Sequence, residues 1–185
     1  MVGNHSTLAH HANVRDSEIG DFAEPQIGEG TEVGELARVV GDVTIGHNSE
    51  ISDRASIRAD EGHPFVIGAN ANIEGWVTFH ALEETSIEVG DDLTTAGDDA
   101  VLHGPLVAGN GLTVGHDSVM FRVIVEDGVT FGDDVIIQGP AVEEGEELSF
   151  TIPAGTVIPD GAVIPDEVSL QEVRPAGGAE RPVTG

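Results

Sequence analysis

Two short stretches of the chain hold side chains that can bind a metal ion or move a proton. In VTFHALEE, residues 77–84, His80 stands in a run of β-formers, and Glu83 and Glu84 follow it closely. In HGP, residues 103–105, a second histidine precedes a glycine and a proline. The chain has no cysteine, so a metal site must use His, Asp or Glu. His80 alone fits three interpretations: a core histidine, a solvated loop residue, or a metal ligand beside acid/base groups.

The chain around these histidines repeats every six residues. From Val39 it reads VVGDVT, IGHNSE, ISDRAS and IRADEG, and the aliphatic first position returns in IGANAN from Ile67 and IEGWVT from Ile73. This period fits neither an amphipathic helix nor simple alternation. It fits a short strand followed by a tight turn in which Gly, Asn or Asp takes a positive φ. Three such units make one triangular coil, and coils stack about 4.8 Å apart over a shared aliphatic core.

The six-residue phase also suggests how the chain is divided. It breaks at residues 61–66, 80–88 and 95–101, where extra residues are predicted to form loops or bulges on one face. We predict a flexible N-terminal segment at 1–18, the repeat domain at 19–165, and a short helix, from about Asp166 to Val173, with a loose tail at 166–185. The chain lacks a signal-peptide pattern and a membrane-length apolar stretch, so a cytoplasmic protein is predicted.

The charge balance limits the partners. The chain has 34 acidic residues against seven basic ones, for a net charge of −27. Such a surface repels nucleic acid and anionic membranes. Its dense Val/Ile periodicity argues against disorder, so we predict a folded protein adapted to high salt, where counterions screen the self-repulsion.

The stretch ASIRADEGHPFVIGANANIEGWVTFHALE, residues 55–83, resembles the γ-class carbonic anhydrases, above all the branch with the archaeal enzyme and the carboxysomal homologue. HGP at 103–105 and TIPAGTVIPDGAVI at 151–164 extend the resemblance. It implies a left-handed parallel β-helix of hexapeptide repeats, all-β with at most a short C-terminal helix, and a homotrimer. It also implies a Zn²⁺ or Fe²⁺ at each subunit interface, held by three histidines, two from one subunit and one from its neighbour. The metal-bound hydroxide of that family converts CO₂ to bicarbonate.

The resemblance assigns roles residue by residue. His80 and His103 match two of the metal ligands, and Arg58 and Asp60 match an intersubunit ion pair. The remaining matched positions are Glu61, an acid near the metal-bound solvent, Asn72 in the pocket, and Glu83, the proton shuttle. Each residue taken singly also fits an ordinary surface or strand-end position.

Two positions depart from the family pattern. Counting forward from Val89 places the third histidine at Gly97, whereas counting back from His103 places it at Asp98. We therefore predict three alternatives for the third ligand. It is Asp98, or it is His116, which holds the repeat position of Gly97 about 4.8 Å away in the next coil, or no tight metal binds. Glu74 stands where the family has a glutamine.

Three functions remain open from the sequence. The first is reversible CO₂ hydration at the interfacial metal. The second is a catalytically silent homologue with a scaffold or assembly role. The third is an acyltransferase on the same repeat fold, with His47 or His63 as the base. The scarcity of basic residues disfavours this last function, because coenzyme A carries phosphates.

Overall fold

The computed structural model of the chain describes residues 7–9, 11–12, 22–60, 63–142 and 147–173. It is a left-handed parallel β-helix with one short C-terminal helix, which confirms the predicted fold. The elements are β1(Thr7–Ala9), β2(His11–Ala12), β3(Phe22–Ala23), β4(Gln26–Ile27), β5(Glu32–Val33), β6(Arg38–Gly41), β7(Val43–Ile45), β8(Glu50–Ile51), β9(Ser56–Ala59), β10(Phe65–Ile67), β11(Asn72–Ile73), β12(Thr78–Ala81), β13(Ile87–Val89), β14(Thr94–Thr95), β15(Val101–Ala108), β16(Thr113–Val114), β17(Val119–Val125), β18(Thr130–Phe131), β19(Ile136–Gln138), β20(Thr151–Ile152), β21(Val157–Ile158), β22(Val163–Ile164) and α1(Glu167–Val173).

The strands stack into three faces. One face is a seven-stranded sheet in the order β21-β18-β16-β14-β11-β8-β5. The other two faces belong to a 13-stranded sheet, in which the runs β4-β7-β10-β13 and β6-β9-β12 both end on β15. The long strands β15 and β17 join these two faces because each runs across the corner between them.

The core is a set of inward columns, one residue per coil. One column runs along the face that contains β12, and all of its side chains are 0% exposed. Its members, each paired in register with the next, are Val39, Ile57, Phe79, Leu102, Met120, Ile137 and Ile164. Full burial of such a side chain contributes about 1.5–3 kcal/mol, so these columns hold the coils together despite the shortage of aromatic residues.

The interruptions of the repeat differ in detail from the prediction. His80 and Ala81 still belong to β12, and the chain turns only at Leu82, whose carbonyl accepts a hydrogen bond from Thr85 N–H (3.0 Å). The prediction that His80 begins the loop was therefore wrong, because its strand partner in β15 extends the pairing. At the first interruption, Glu61 and Gly62 lie outside the described residues.

The two ends of the β-helix have different neighbours. The N-terminal segment is predicted to be flexible. Within it, Thr7–Ala9 pairs in parallel with β6, and the flexibility of the segment stays a prediction. At the other end, Leu170 buries one side of α1, and the Asp166 carboxylate accepts bonds from Ser169 N–H and Oγ–H (both 2.8 Å). These bonds lower the pKa of Asp166. No helix in the described part of the chain is long and apolar enough to cross a membrane.

Two glycines with positive φ differ in their surroundings and allow a matched test. A Cβ on Gly41 (φ 84°) would overlap the Ala59 carbonyl, whereas a Cβ on Gly128 (φ 68°) would have no heavy atom within 4 Å. We expect Gly128→Ala to lower the free energy of unfolding by about 1–2 kcal/mol through backbone strain alone. Gly41→Ala should lower it further, because a backbone oxygen cannot move aside. Denaturant titration of both variants checks this, and equal losses would contradict it.

The stacking also places like charges together. Glu32 and Glu50 are exposed and pair in register on adjacent coils, whereas Glu88 lies between Val66 and Val107. Like charges directly opposite destabilise a sheet, and salt screens them.

We therefore expect the melting temperature to rise when KCl increases from about 0.1 M to about 1 M, over which the Debye length falls from about 10 Å to about 3 Å. Glu50→Gln should reduce this salt dependence more than the control Glu88→Gln does, as followed by thermal unfolding. Identical salt slopes for the two variants would refute the role of the stacked pair.

Candidate metal centre

His80 and His103 stand directly above one another on the outside of the β-helix. They pair in register between β12 and β15, while their chain neighbours Phe79 and Leu102 point into the core. Their ring centroids are 5.3 Å apart, with the planes at 83°. Both residues are half-buried. Two imidazoles on one outward row at this spacing can contribute two ligands to a single metal ion.

His103 is prepared for metal binding by its surroundings. Its Nδ1–H donates a hydrogen bond of 2.8 Å to the Gly104 carbonyl, which leaves Nε2 as the basic nitrogen. Burial lowers the pKa of His103, the Gly104 bond opposes this effect, and the nearby charges of His80 and Arg122 lower the pKa further. The lowered pKa favours the neutral ring, which is the form that binds metal.

Phe121 continues this outward row and Arg122 packs on its ring; sequence reasoning missed both residues. Phe121 pairs in register with His103, and their ring centroids are 4.7 Å apart. The Arg122 guanidinium carbon lies 4.1 Å from the centroid of the Phe121 ring. The available signal was the repeat itself, since Phe121 is one coil beyond His103.

The predicted ion pair lies on the other side of His80. Because Ile57 pairs with Phe79, Arg58 and His80 occupy the same outward row. Arg58 donates to Asp60 Oδ2 from Nη2 (2.9 Å) and from Nε (3.3 Å). Asp60 is 10% exposed, so this carboxylate is well shielded from water.

Asn72 and Glu74 lie at a different face, on β11 and at the corner after it. The two Glu74 oxygens accept long hydrogen bonds, from Asn72 Nδ2 (3.4 Å) and Ser52 Oγ (3.5 Å). Glu74 N–H donates to Thr95 Oγ1 at 2.8 Å. Within one copy these residues form a cluster separate from the histidine pair.

Asp98 and His116 lie at that same corner, one coil apart. Asp117 N–H donates to the Asp98 carbonyl (3.2 Å), as Asp134 N–H does to the His116 carbonyl (2.8 Å), so Asp98 and His116 hold equivalent turn positions. Asp98, rather than Gly97, therefore occupies the turn position of its coil, as the count back from His103 indicates. The ring of His116 packs on Gly97, where an added Cβ would overlap its Cε1, Nδ1 and Nε2.

The acidic residues named with His80 differ in their surroundings. Glu83 is exposed in the turn after β12, as a group that exchanges protons with buffer must be. Glu84 has its Oε1 buried and a φ of 63°. Glu61 lies outside the described residues.

One copy of the chain does not complete a metal site. Across the described residues, no group of three or more His, Cys, Asp or Glu side chains is placed to hold a metal ion. Catalytic zinc sites use three protein ligands and keep a fourth position open. The histidine pair fits two of those ligands, with nitrogen donors suited to Zn²⁺ or Fe²⁺.

Comparison with known proteins agrees with these features. No protein-family model matches the chain. A protein named carbonic anhydrase from Methanosarcina thermophila is 26% identical over 180 residues, covering 85% of this chain and 71% of that protein. The carboxysome assembly protein CcmM of a Nostoc species is 34% identical over 147 residues, covering 74% of this chain but 26% of that protein. The chain thus spans only about a quarter of that relative's length.

A solved structure supports the fold alone. A hexapeptide transferase family protein from Anaplasma phagocytophilum aligns with a TM-score of 0.53 and 20% identity, over 82% of this chain and 85% of that one. The relatives found by sequence comparison point to the same family as the RADEG, HALE and HGP motifs do. The homologues of the chain are thus a γ-class carbonic anhydrase and carboxysome assembly proteins, and its fold is that of the hexapeptide-repeat proteins.

Proposed function

We propose that the chain hydrates CO₂ reversibly at a Zn²⁺ or Fe²⁺ ion held between neighbouring copies in a homotrimer. The observation that carries this proposal is the in-register pair of His80 and His103, two outward imidazoles on adjacent coils. A bound metal there would supply a Lewis acid and lower the pKa of water. The residues of the chain hold the metal, shape the pocket and receive the released proton.

The face around the histidines supports packing against another copy. An outward apolar row, paired from coil to coil, runs beside them: Val101, Val119, Ile136 and Val163. Ile136 and Val163 are 42% and 60% exposed in a single copy. A row of β-branched residues, two of them exposed, beside half-buried histidines favours an interface, and three copies in a ring would cover it on every subunit.

The polar residues then have defined tasks. Glu83, exposed three residues after His80, would pass the proton to buffer. Asn72 and Glu74 would reach the site from the corner of the neighbouring copy, and Arg58 with Asp60 would tie the copies together. We keep Glu61 as an acid near the reacting water, by its place in the family motif.

A second candidate function is a catalytically silent scaffold. Gly97 and Asp98 replace the expected histidine, and Glu74 adds a negative charge where the family has a neutral amide. The Nostoc relative is itself named an assembly protein. Stopped-flow CO₂ hydration in high salt, with Zn²⁺ or Fe²⁺ supplied under anaerobic conditions, separates the two functions. A CO₂ hydration rate equal to that of buffer with both metals would exclude the enzyme and favour the scaffold function.

A mixing experiment tests whether the site lies between copies. The His80→Ala variant and the Asp98→Ala/His116→Ala double variant should each bind little metal alone. When they are refolded together in equal amounts, random assembly makes roughly a quarter of the interfaces complete. Metal content per chain, measured after size exclusion, should recover to that fraction of wild type. No recovery in the mixture would contradict an interfacial site.

The proton relay has its own test. Glu83→Gln should lower kcat on the order of tenfold or more at low buffer concentration, because general acid–base transfer is lost, while kcat/KM stays near wild type. Added imidazole should restore kcat by carrying the proton instead. Glu88→Gln, an exposed acid on another face, is the matched control. A kcat for Glu83→Gln that is independent of buffer and equal to wild type would remove Glu83 from this role.

A further inference from the structure

At the corner after the seven-stranded sheet, turn side chains bend back over the preceding coil. Asp133 shows the arrangement: its Oδ1 accepts a 2.9 Å hydrogen bond from His116 N–H, and it lies where a Cβ on Gly115 would be. Asp160 makes the same contact with Asp133 N–H at 3.0 Å, and Asp53 lies over Gly34 in the same way but accepts from Leu36 N–H, at 3.1 Å. A glycine before the turn leaves room for the returning side chain.

His116 follows this rule with an imidazole in place of a carboxylate. Its ring fills the space over Gly97, so that the glycine is buried although it lies at an exposed corner. The ring therefore lies beside the coil of Gly97 and Asp98, which is also the coil that leads into His103. The chain thus presents an imidazole at the level of the missing histidine without a histidine in that coil.

Asp98 is the competing ligand, and it bends back as well. Its Oδ1 is 3.4 Å from where a Cβ on Gly75 would be, one coil below its own backbone. The carboxylate is shorter than an imidazole, which limits its reach across an interface. It would also add negative charge to the site, whereas a third neutral imidazole keeps the full charge of the metal acting on the bound water.

We propose that His116 of a neighbouring copy, held in place over Gly97, supplies the third metal ligand beside His80 and His103. This assignment rests on the proposed interfacial metal site. It gives Gly97 a positioning role: the residue touches no metal, but its missing side chain sets where the imidazole lies.

Metal content and the visible spectrum of the Co²⁺-substituted protein test the assignment without relying on activity. His116→Ala should lower metal affinity about 100-fold or more. Gly97→Ala keeps every ligand atom but pushes the ring aside, and should lower affinity about 10–100-fold, as loss of a positioning contact does. Gly97 has no positive φ, so alanine fits its backbone. Asp98→Asn and His47→Ala, an exposed histidine at another corner, should match wild type in both measurements.

The outcomes separate this assignment from the proposed function. Full metal in His116→Ala together with loss in Asp98→Asn would overturn the assignment and leave the interfacial site intact. Full metal in Gly97→Ala, with loss only in His116→Ala, would overturn the positioning role of the glycine. A wild-type protein that takes up neither Zn²⁺ nor Co²⁺ would overturn the proposed function and the assignment together.

Discussion

The in-register stacking of parallel coils is the constraint on which the rest of this molecule depends. Each residue has a counterpart directly above and below it, so a side chain on one face contacts the side chain at the same position in the next coil. The same register that buries Phe79 under Leu102 places His80 under His103 on the outside. A shift in register would therefore displace the histidine pair and the core column together.

The inward columns could be predicted from the sequence because they depend on local alternation and turn chemistry alone. The histidine pair could not be found in the same way. Extra residues separate His80 from His103, and the six-residue period loses its phase between them. The family motifs predicted that the two histidines belong to one site. The structure shows in addition that β12 continues through Ala81, so this strand ends later than the periodicity indicated.

The directions of side chains at the corners were beyond the reach of sequence reasoning. Counting from the two ends of the interrupted segment gave Gly97 and Asp98, and only the turn hydrogen bond to Asp117 distinguishes them. That bond joins residues of different coils. The packing of the His116 ring on Gly97 and of Phe121 on His103 is likewise decided between coils. Such information is non-local, so a single repeat does not contain it.

The fixed rise between coils also has a consequence for assembly. Copies lying side by side with parallel axes and interlocking side chains can shift along those axes only in steps of about 4.8 Å. In the proposed assembly, one such slip would replace the His116 imidazole by the residue of another coil at the same corner, which in this chain is the carboxylate of Asp133 or Asp98. Metal would then bind only when the copies are aligned along their axes. It would stabilise the correct assembly over the shifted ones.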